Sequence, residues 1–552
     1  MIRVDARTAG VAVVVSAVVA YATALGNGFA YDDVPIIRDA ARVHTLTQPG
    51  AIWLAPYWQS IESAGLYRPA VLTGYALQWA LGGGGAWLFH AISVGMHAAV
   101  SMLLYALLRT WFAPAPALIG ALVFVVHPVH VEAVANLVGQ AELIAAGGVL
   151  IALVLLARRP DTRRLEAWRV LLICGALAVA LLAKEHAIAA PALLPVVELA
   201  RARTRENRVW TLSRASTLSL AAGVSLVVVA YLGARAAVLG GLTSDAMAPT
   251  LPFLESGARL TSALRLWPEY ARLLFWPARL SSDYSPAVIL PAESWTPMAV
   301  FGGALLAVTA LAALLLPRRP HVGLPAAWFL ITVLPVSNLI VPIGVLLAER
   351  TLYLPSAAVA FVTAGLAGAL PGLPAFAHRH TRRAALAAVA GVLLLAALHS
   401  ARRAPVWTST QTVNDALIRD RPESYRAQWT AAVRALQRDD HGAAERHWTL
   451  AYRLWPHDPH MLAELAMYRQ QRGDMAAALE LIAEAQARAS HSPRVQLTAG
   501  FIYLSGGSVE KAERALHAAC AAGDTAIDRV AAALASSVRR SDIAAACTAD
   551  AP

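Results

Sequence analysis

Two adjacent aspartates, Asp32 and Asp33, have the residue types and the position that most strongly suggest chemistry. They follow the first apolar segment by only a few residues, in the stretch "NGFAYDDVPIIRD". Adjacent carboxylates raise each other's proton affinity, which helps one of them to act as a base near neutral pH. A solvated acidic loop or a metal site would use the same two residues, so three interpretations stay open.

Lysine is rare in this chain, which makes the stretch "KEH" at 184–186 conspicuous. Lys184 and Lys511 are the two lysines among 46 basic residues, and Lys184 lies in an apolar setting. Where arginine is the usual cation, such a lysine indicates a residue selected for its chemistry. Its neighbour Glu185 supports the alternative of a structural ion pair.

A histidine-rich motif, "HPVHVE", places His127, His130 and Glu132 close together in the sequence. This spacing suits a divalent metal ion, but Pro128 interrupts helix geometry between the two histidines. Hydrogen bonding to a substrate and a structural helix turn are the alternatives. Glu132, Asn136 and Gln140 recur every four residues, which predicts a polar stripe that either lines a pocket or bonds neighbouring helices.

The overall composition predicts a membrane protein built of helices. The 552-residue chain is 58% hydrophobic and 15% charged, with a mean hydropathy of +0.53, whereas soluble domains carry roughly 25% charged residues. Helices need about 17–25 apolar residues to cross the hydrocarbon core. We therefore predict an all-α, polytopic bundle of about 11 transmembrane helices, near 9–25, 86–108, 115–135, 137–157, 169–183, 186–199, 212–232, 297–316, 323–343, 350–370 and 384–398.

The arginine distribution predicts the orientation of these helices. With the N-terminus inside, the inner loops hold 17 arginines, as the positive-inside rule requires. The net charge of +11 then reflects membrane orientation, and nucleic acid is excluded as a partner. Residues 26–85 and 233–296 form large outer loops, and the chain after residue 398 lies outside. Nearly all polar motifs then meet at outer helix ends, which favours an outward-facing pocket over a transport path.

The chain after Pro405 is charged and alanine-rich, and it repeats with a period of 34 residues. Such offsets are typical of tetratricopeptide helix pairs, although a generic helical bundle is the alternative. We predict three repeats over about 425–526, with one helix before and one after, in a C-terminal domain at 401–552 that follows a membrane domain at 1–400. The positions in register are Ala444, Ala478 and Ala512; Ala451, Ala485 and Ala519; Ala432, Ala466 and Gly500; and Pro459 and Pro493.

The order of the motifs resembles that of a known family. The stretches are "YDD", "YRPAVLTGYALQWALGG", "HAISVGMH", "HPVHVEAVANLVGQAELIA", "KEHAIAAP", "LLFWPARLSSDYSP" and "LPVSNLIVPIGVLLAERTLYLPS". With the repeats that follow, this set resembles the transmembrane-and-tetratricopeptide-repeat protein O-mannosyltransferases and their bacterial relatives, in the GT-C class of multi-spanning glycosyltransferases. The resemblance covers residues 20–360 and the tail.

The resemblance implies transfer of mannose or a similar hexose from a polyprenyl-phosphate donor to a protein hydroxyl on the extracytoplasmic face. It assigns the acceptor side to Asp32 and Asp33, one of which would be the base. It implies no cofactor and no obligatory metal. Two residues depart from the family's pattern, Gln140 where an arginine is usual and Ser93 where an asparagine is usual.

Transfer from a sugar phosphate also requires positive charge to stabilise the leaving phosphate. Lys184, Arg68 and Arg350 are the candidates, because each lies at an outer helix end flanked by apolar sequence. Structural alternatives are an interfacial anchor for Arg68 and a helix start at Glu349–Arg350. The predicted donor-phosphate and substrate-binding residues are Arg68, His127, His130, Glu132, Gln140, Glu142, Lys184, Glu185, Asp283, Tyr284, Glu349 and Arg350.

The sequence thus predicts an integral-membrane glycosyltransferase, with its site and its repeats on the periplasmic side of a bacterial inner membrane. Its partners would be a polyprenyl-phosphate-linked sugar, membrane lipid, and a protein or peptide acceptor held by the repeats. A catalytically silent scaffold, whose repeats bind envelope proteins, is the alternative.

Overall fold

The structure, a computed structural model, describes residues 5–58, 65–206, 210–241, 256–292, 294–341, 343–372, 374 and 378–520. Within these ranges the regular elements are helices and no strand is present, which confirms the all-α fold class. The helix predicted after the repeats lies outside the described residues, as do parts of both large outer loops at 59–64, 242–255 and 293.

The first part of the chain forms a bundle of apolar helices. In hydrocarbon every backbone polar group must be satisfied internally, and long apolar runs achieve this as α-helices. The α-helices are α1 (Ala6–Tyr21), α2 (Gly50–Trp53), α3 (Pro69–Gly82), α4 (Ala86–Leu108), α5 (Pro114–Val126), α6 (Val131–Ala135), α7 (Gln140–Ala157), α8 (Ala167–Ala183), α9 (Ala190–Glu206), α10 (Arg214–Leu239), α11 (Ser256–Leu264), α12 (Leu266–Phe275), α13 (Pro297–Leu314), α14 (Pro320–Val333), α15 (Ala357–Ala369) and α16 (Arg379–Arg403).

The number of full-length spans is smaller than the eleven predicted. Six helices of the described chain are long and apolar enough to cross a membrane, and a bent pair, Pro114–Val126 with Pro128–Ala135, would make seven. Three further apolar helices have only 10–17 residues. A helix does lie at each predicted position, but polar turns divide several of the apolar runs. The six full-length spans are Ala6–Gly26, Ala86–Leu108, Leu137–Ala157, Arg214–Leu239, Pro297–Leu314 and Arg379–Thr408.

Most of the polar motifs lie at breaks between helices. Short 3-10 helices form at Pro128–His130, Leu137–Gly139, Glu185–Ala189 and Glu349–Leu352. A single π-helical turn, Val34–Arg38, follows the aspartate pair, and the N–H of Asp39 donates to the carbonyl of Val34. Irregular backbone at membrane depth is tolerated where it is buried in protein or lines a cavity, and π turns often mark functional sites.

The C-terminal part consists of one helix followed by three helical hairpins. Corresponding helices begin 34 residues apart, and the residue before each first helix, Ser424, Asp458 or Ser492, caps it with its side chain. The in-register alanines are buried between the helices, and a Cβ on Gly500 would lie 2.6 Å from Leu516. The helices are α17 (Thr410–Asp420), α18 (Tyr425–Gln437), α19 (His441–Leu454), α20 (Pro459–Gln471), α21 (Met475–Arg488), α22 (Pro493–Ser505) and α23 (Val509–Cys520).

The C-terminal helices pack directly against the membrane bundle. The hydroxyl of Ser424, at the start of α18, donates to Asp283 over 2.6 Å. The hydroxyl of Thr408 donates to Asn27 over 2.9 Å, and the Asn27 amide donates to the carbonyl of Ala404 over 3.0 Å. These contacts place the aspartate pair and α17 side by side.

Candidate active site

The carboxylate of Asp33 is fully buried and accepts hydrogen bonds from two separate backbone segments. It accepts hydrogen bonds from the N–H groups of Ala30 (3.2 Å), Leu137 (3.4 Å) and Val138 (2.8 Å). The N–H groups at the start of the 3-10 helix Leu137–Gly139 have no hydrogen-bond acceptor within that helix. The Asp33 carboxylate is their acceptor. Burial raises the pKa of Asp33 to about 7, against the lowering effect of these three N–H donors.

Asp32 has a different environment. It is half-buried, and its carboxylate receives no hydrogen bond from any residue that the structure describes. Burial raises its pKa above the ordinary value of 3.8, while the positive charge of Arg350 opposes that rise. Its other charged neighbours are Glu132, Arg68 and Lys184. Of the two aspartates, Asp32 is therefore the one whose oxygens are available to another molecule.

Arg350 and Glu132 form an ion pair beside Asp32. The Arg350 guanidinium donates to one Glu132 oxygen, and its backbone N–H donates to the other over 2.9 Å. The 3-10 helix Glu349–Leu352 and the short helix α6 carry the two partners. The bond through the main chain fixes the position of Glu132 independently of the Arg350 side chain.

A second group of charges surrounds Glu185. The Arg68 guanidinium donates to both Glu185 oxygens through Nε (3.1 Å) and Nη2 (2.8 Å), and its Cζ lies 5.0 Å from the Tyr57 ring centre. Arg235 approaches the same carboxylate at 3.8 Å. Burial opposes the charge on Glu185, but Arg68 prevails and lowers the pKa of Glu185 to about 2. Arg68 and Arg235 therefore both approach the Glu185 carboxylate.

Lys184 forms a separate pair, although the sequence suggested pairing with its neighbour. Its ammonium lies 3.0 Å from one Glu142 oxygen, and the other Glu142 oxygen lies 3.1 Å from Nε2 of His186. The extended backbone of Lys184 between α8 and the 3-10 helix Glu185–Ala189 sends consecutive side chains to different partners. Lys184 therefore pairs with Glu142, whereas Glu185 pairs with Arg68.

Glu349, Asp283 and Tyr284 lie on the side of the site that faces the C-terminal helices. Glu349 accepts from the Tyr284 hydroxyl and from the Ser281 N–H, both over 2.6 Å. Burial raises the pKa of Glu349 to about 8. Asp283 accepts from the Ser424 and Ser285 hydroxyls, each over 2.6 Å. These residues join the site to the repeats through hydrogen bonds.

Three of the predicted binding residues make hydrogen bonds to other residues of the membrane bundle. His127 bonds to the carbonyl of Leu274 at 3.0 Å, and His130 bonds to the Ser356 hydroxyl at 2.7 Å. The Gln140 amide is held by Gln78, the carbonyl of Phe89 and Ser93. His127, His130 and Glu132 thus point to three separate partners, and no group of three metal-ligating side chains occurs in the described ranges.

A large cavity, about 1210 Å³ in volume, lies between the membrane bundle and the C-terminal helices. Its membrane wall includes Tyr31, Glu132, Asp283 and Arg350. The opposite wall is polar and aromatic, and it includes Thr410, Gln411, Asn414, Arg426, Trp429, Thr430, Arg434, Glu464 and Arg494. The cavity therefore connects the surroundings of Asp32 with the inner face of the helical hairpins.

Several residues of this region did not stand out in the sequence. Arg235 lies within the apolar helix α10, where a lone arginine is a signal for a site, and it meets Glu185. Tyr31, Thr410 and Arg426 occur in ordinary polar stretches, and only the packing of α17 and α18 on the bundle brings them to the cavity. No pattern in the sequence marks those contacts.

Comparison with known proteins supports the resemblance seen in the motifs. Protein O-mannosyl-transferase TMTC3 of Mus musculus is 27% identical over 63% of this chain and 41% of its own length. Protein O-mannosyl-transferase TMTC4 of Homo sapiens is 26% identical over 72% of this chain and 59% of its own length. The chain thus spans about half the length of the curated relatives it matches. No family model matches.

A solved structure, the apo form of the oligosaccharyltransferase of Archaeoglobus fulgidus, aligns with a TM-score of 0.37 and 15% identity over 71% of this chain and 56% of that chain. At this TM-score the alignment does not establish a shared fold. The sequence relatives confirm the predicted resemblance: the chain is similar to the TMTC protein O-mannosyl-transferases over more than half of its own length.

Proposed function

We propose that this chain is an integral-membrane glycosyltransferase that moves mannose or a similar hexose from a polyprenyl-phosphate donor to a protein hydroxyl. The observation that carries the proposal is the position of Asp32. Its carboxylate accepts no hydrogen bond within the described residues, and the positive charges of Arg350, Arg68 and Lys184 act on it. The preceding residue, Tyr31, lines a cavity large enough for a polypeptide segment. The TMTC relatives are named as protein O-mannosyl-transferases, which agrees with this chemistry.

In the proposed reaction Asp32 acts as general base. It takes the proton from a serine or threonine hydroxyl as the oxygen bonds to the anomeric carbon of the donor sugar. The bond from that carbon to the phosphate oxygen breaks, and the lipid phosphate leaves with the electron pair. Asp33 touches no substrate in this scheme, because its oxygens are occupied by backbone N–H groups, and it positions the loop instead.

The leaving phosphate would bind at the Arg68 and Lys184 end of the charge network. Arg68 uses Nε and Nη2 for Glu185, while Nη1 makes no hydrogen bond in the described part of the chain. Lys184 offers three donors, and Glu142 is its paired carboxylate. A phosphate oxygen joining these groups would be stabilised by charge-assisted hydrogen bonds. Arg350, paired with Glu132, lies nearer to the proposed acceptor side.

We assign the three hairpins to the tetratricopeptide class and propose that they hold the acceptor. Helices that begin 34 residues apart, with buried small residues in register, support this assignment. The cavity wall offers amide groups at Gln411 and Asn414, which suit a peptide backbone, and an indole at Trp429. Sites for small ligands usually measure about 300–1,000 Å³, so a cavity of about 1210 Å³ accommodates more than a single sugar.

We further propose that the site and the repeats face the periplasm from a bacterial inner membrane. The arginine-rich inner loops support this orientation through the positive-inside rule. The packing of the C-terminal helices against the end of the bundle that carries Asp32 agrees with it.

The test of the proposed function is a reconstituted transfer reaction. The full-length protein in liposomes would receive radiolabelled polyprenyl-phosphate mannose and a panel of serine- and threonine-containing polypeptides. The expected product is a polypeptide whose intact mass has increased by one hexose, with loss of label from the lipid. Polypeptides that stay unmodified at every donor tested, while they still bind to the protein, would instead support the scaffold alternative.

A further inference from the structure

The backbone next to Asp32 adopts a conformation that needs support. Tyr31 has a φ of +52°, in the left-handed region that residues other than glycine rarely occupy. Its carbonyl accepts from the Val34 N–H over 3.2 Å, which closes a tight turn around the two aspartates. The direction of the Asp32 side chain therefore depends on what holds Tyr31 in this conformation.

The support comes from the C-terminal part of the chain. The Tyr31 N–H donates to the Thr410 hydroxyl over 2.9 Å, across 379 residues of sequence. The preceding N–H, that of Ala30, donates to Asp33 over 3.2 Å. The N–H groups of Ala30 and Tyr31 are therefore both held, one by the membrane domain and one by α17.

Thr410 is itself held in a fixed position. It is the first residue of α17, whose start is closed by a reciprocal capping box between Ser409 and Thr412. The Thr412 hydroxyl also donates to the carbonyl of Val406 over 2.9 Å, which anchors the cap to the preceding turn. A hydroxyl on a capped helix start is a rigid acceptor, because the cap fixes the backbone that carries it.

We propose that Thr410 is a positioning residue of the active site, and that α17 is part of the catalytic machinery. Its hydroxyl sets the left-handed backbone of Tyr31 and so directs the Asp32 carboxylate. Thr410 also lines the acceptor cavity, together with Gln411 and Asn414 of the same helix. Occupation of the cavity and the geometry of Asp32 are therefore linked through one side chain. The catalytic consequence rests on the proposed function, whereas the contact itself does not.

The test compares Thr410→Val, which removes the hydroxyl at nearly constant shape, with Thr410→Ser, which keeps it. Thr430→Val is the matched control, because Thr430 lines the same cavity and makes no hydrogen bond with the Tyr31 turn in the described structure. Hydrogen exchange of the Tyr31 amide is measured in the full-length protein. We expect the Tyr31 amide to exchange about fivefold faster in Thr410→Val, the factor that corresponds to one lost hydrogen bond. In Thr410→Ser and Thr430→Val its exchange should be near normal.

Steady-state transfer provides the second readout. Thr410→Val is expected to lower kcat by up to about 100-fold, the loss that a misplacement of about 1 Å causes, with little change in the KM for either substrate and with recovery in Thr410→Ser. Unchanged amide exchange overturns the proposal, as does faster exchange with an unaltered kcat. If the wild-type protein shows no transfer, the proposed function is contradicted. Amide exchange then still tests whether Thr410 holds the Tyr31 turn, without reference to catalysis.

Discussion

Two neighbouring carboxylates with the same chemistry have different environments in this molecule. Asp33 is buried under three backbone N–H donors, whereas Asp32 is half-buried beside Arg350 and Glu132. The difference arises because the turn at Tyr31 sends one side chain towards the 3-10 helix Leu137–Gly139 and the other towards the charged groups. We therefore propose a catalytic role for Asp32 and a structural role for Asp33.

The pH dependence of transfer should report the raised pKa of Asp32. A general base must be deprotonated, so kcat/KM should fall as the pH drops through a pKa above 3.8, the ordinary aspartate value. The measurement is the pH profile of kcat/KM for the wild type and for Asp39→Asn, which changes an exposed, ion-paired aspartate of the same loop. In both proteins kcat/KM should fall over the same acidic range. A profile of kcat/KM that stays flat down to pH 4 would contradict the assignment of Asp32 as the base.

Replacing Asp33 should affect stability more than chemistry. In Asp33→Asn one amide oxygen replaces two carboxylate oxygens, so at least one buried N–H is left poorly bonded, at a cost of about 1–3 kcal/mol. We expect a lower temperature of thermal unfolding in detergent than for the matched Asp39→Asn variant. Equal unfolding temperatures would show that the three N–H contacts do not hold this loop.

Asp33→Asn also tests how the raised pKa of Asp33 changes the stability of the protein with pH. Because the folded-state pKa of Asp33 is about 7, the folded protein keeps a proton between pH 4 and 7 that the unfolded chain has lost. This residue therefore makes the wild type less stable as the pH rises through that window. Asp33→Asn should lack this part of the slope when thermal unfolding is followed from pH 4 to 7. An identical slope in both proteins would argue against the raised pKa.

At the residue scale the sequence predicted most of the charged groups that the structure brings together. The charges of Arg68, Lys184 and Arg350 act on Asp32, and ion pairs join Arg68 to Glu185 and Lys184 to Glu142. Their pairing was not predictable, since Lys184 meets Glu142 and not Glu185. The direction of a side chain at a helix break depends on backbone angles that neighbouring residues in the sequence do not determine.

At the element scale the breaks between helices carry the site. The 3-10 helix Leu137–Gly139 supplies two of the three N–H groups that hold Asp33. It approaches α6 so closely that a Cβ on Gly139 would lie 2.4 Å from the carbonyl oxygen of Ala133. Glycine is required there for close packing of two backbone segments, since its φ of about −65° is open to any residue.

Gly139→Ala should therefore push this 3-10 helix away from α6 and weaken the hold on Asp33. Overpacking of this kind typically costs about 1–3 kcal/mol, so we expect a lower unfolding temperature and reduced transfer. Gly147→Ala in α7 is the matched control, because its added Cβ would meet Val100 at an ordinary 3.7 Å. If the two variants behave alike, the close approach at Gly139 has no structural importance.

The positions of the helices were predictable, whereas their lengths were not. Apolar runs predicted a helix in each of eleven places, and the structure has one in each. Only six of these helices are long and apolar enough for a full span within the described residues. Hydropathy averages over a window and so joins α5, the turn at His127 and α6 into one run, although Pro128 bends the pair by 48°.

At the scale of the whole molecule, the C-terminal hairpins and the membrane domain both contribute residues to the wall of one cavity. Asp283 joins them, because it accepts from Ser424 at the start of α18 and lies 3.8 Å from Arg426. The sequence predicted both domains and the repeat period, but neither pattern contains information on how the domains dock. That arrangement depends on side-chain contacts between residues more than 100 positions apart.

Asp283→Asn should loosen this docking. Removing the charge weakens the hydrogen bonds from two hydroxyls and the attraction to Arg426, and a charge-assisted hydrogen bond contributes about 1.5–3 kcal/mol. We expect tryptic cleavage around α17 and α18 to become about tenfold faster in the detergent-solubilised protein. Asp439→Asn, at an exposed turn between α18 and α19, is the control. Equal cleavage rates would show that Asp283 does not join the domains.

The most direct test of Asp32 as the general base is single-turnover transfer by Asp32→Asn beside Asp39→Asn, with both variants inserted in liposomes at equal levels. We predict that Asp32→Asn lowers the rate of hexose transfer by about 10²–10⁴-fold, the contribution of a general base, with donor binding retained, while Asp39→Asn matches the wild type. Transfer by Asp32→Asn at the wild-type rate would contradict the assignment of Asp32 as the base.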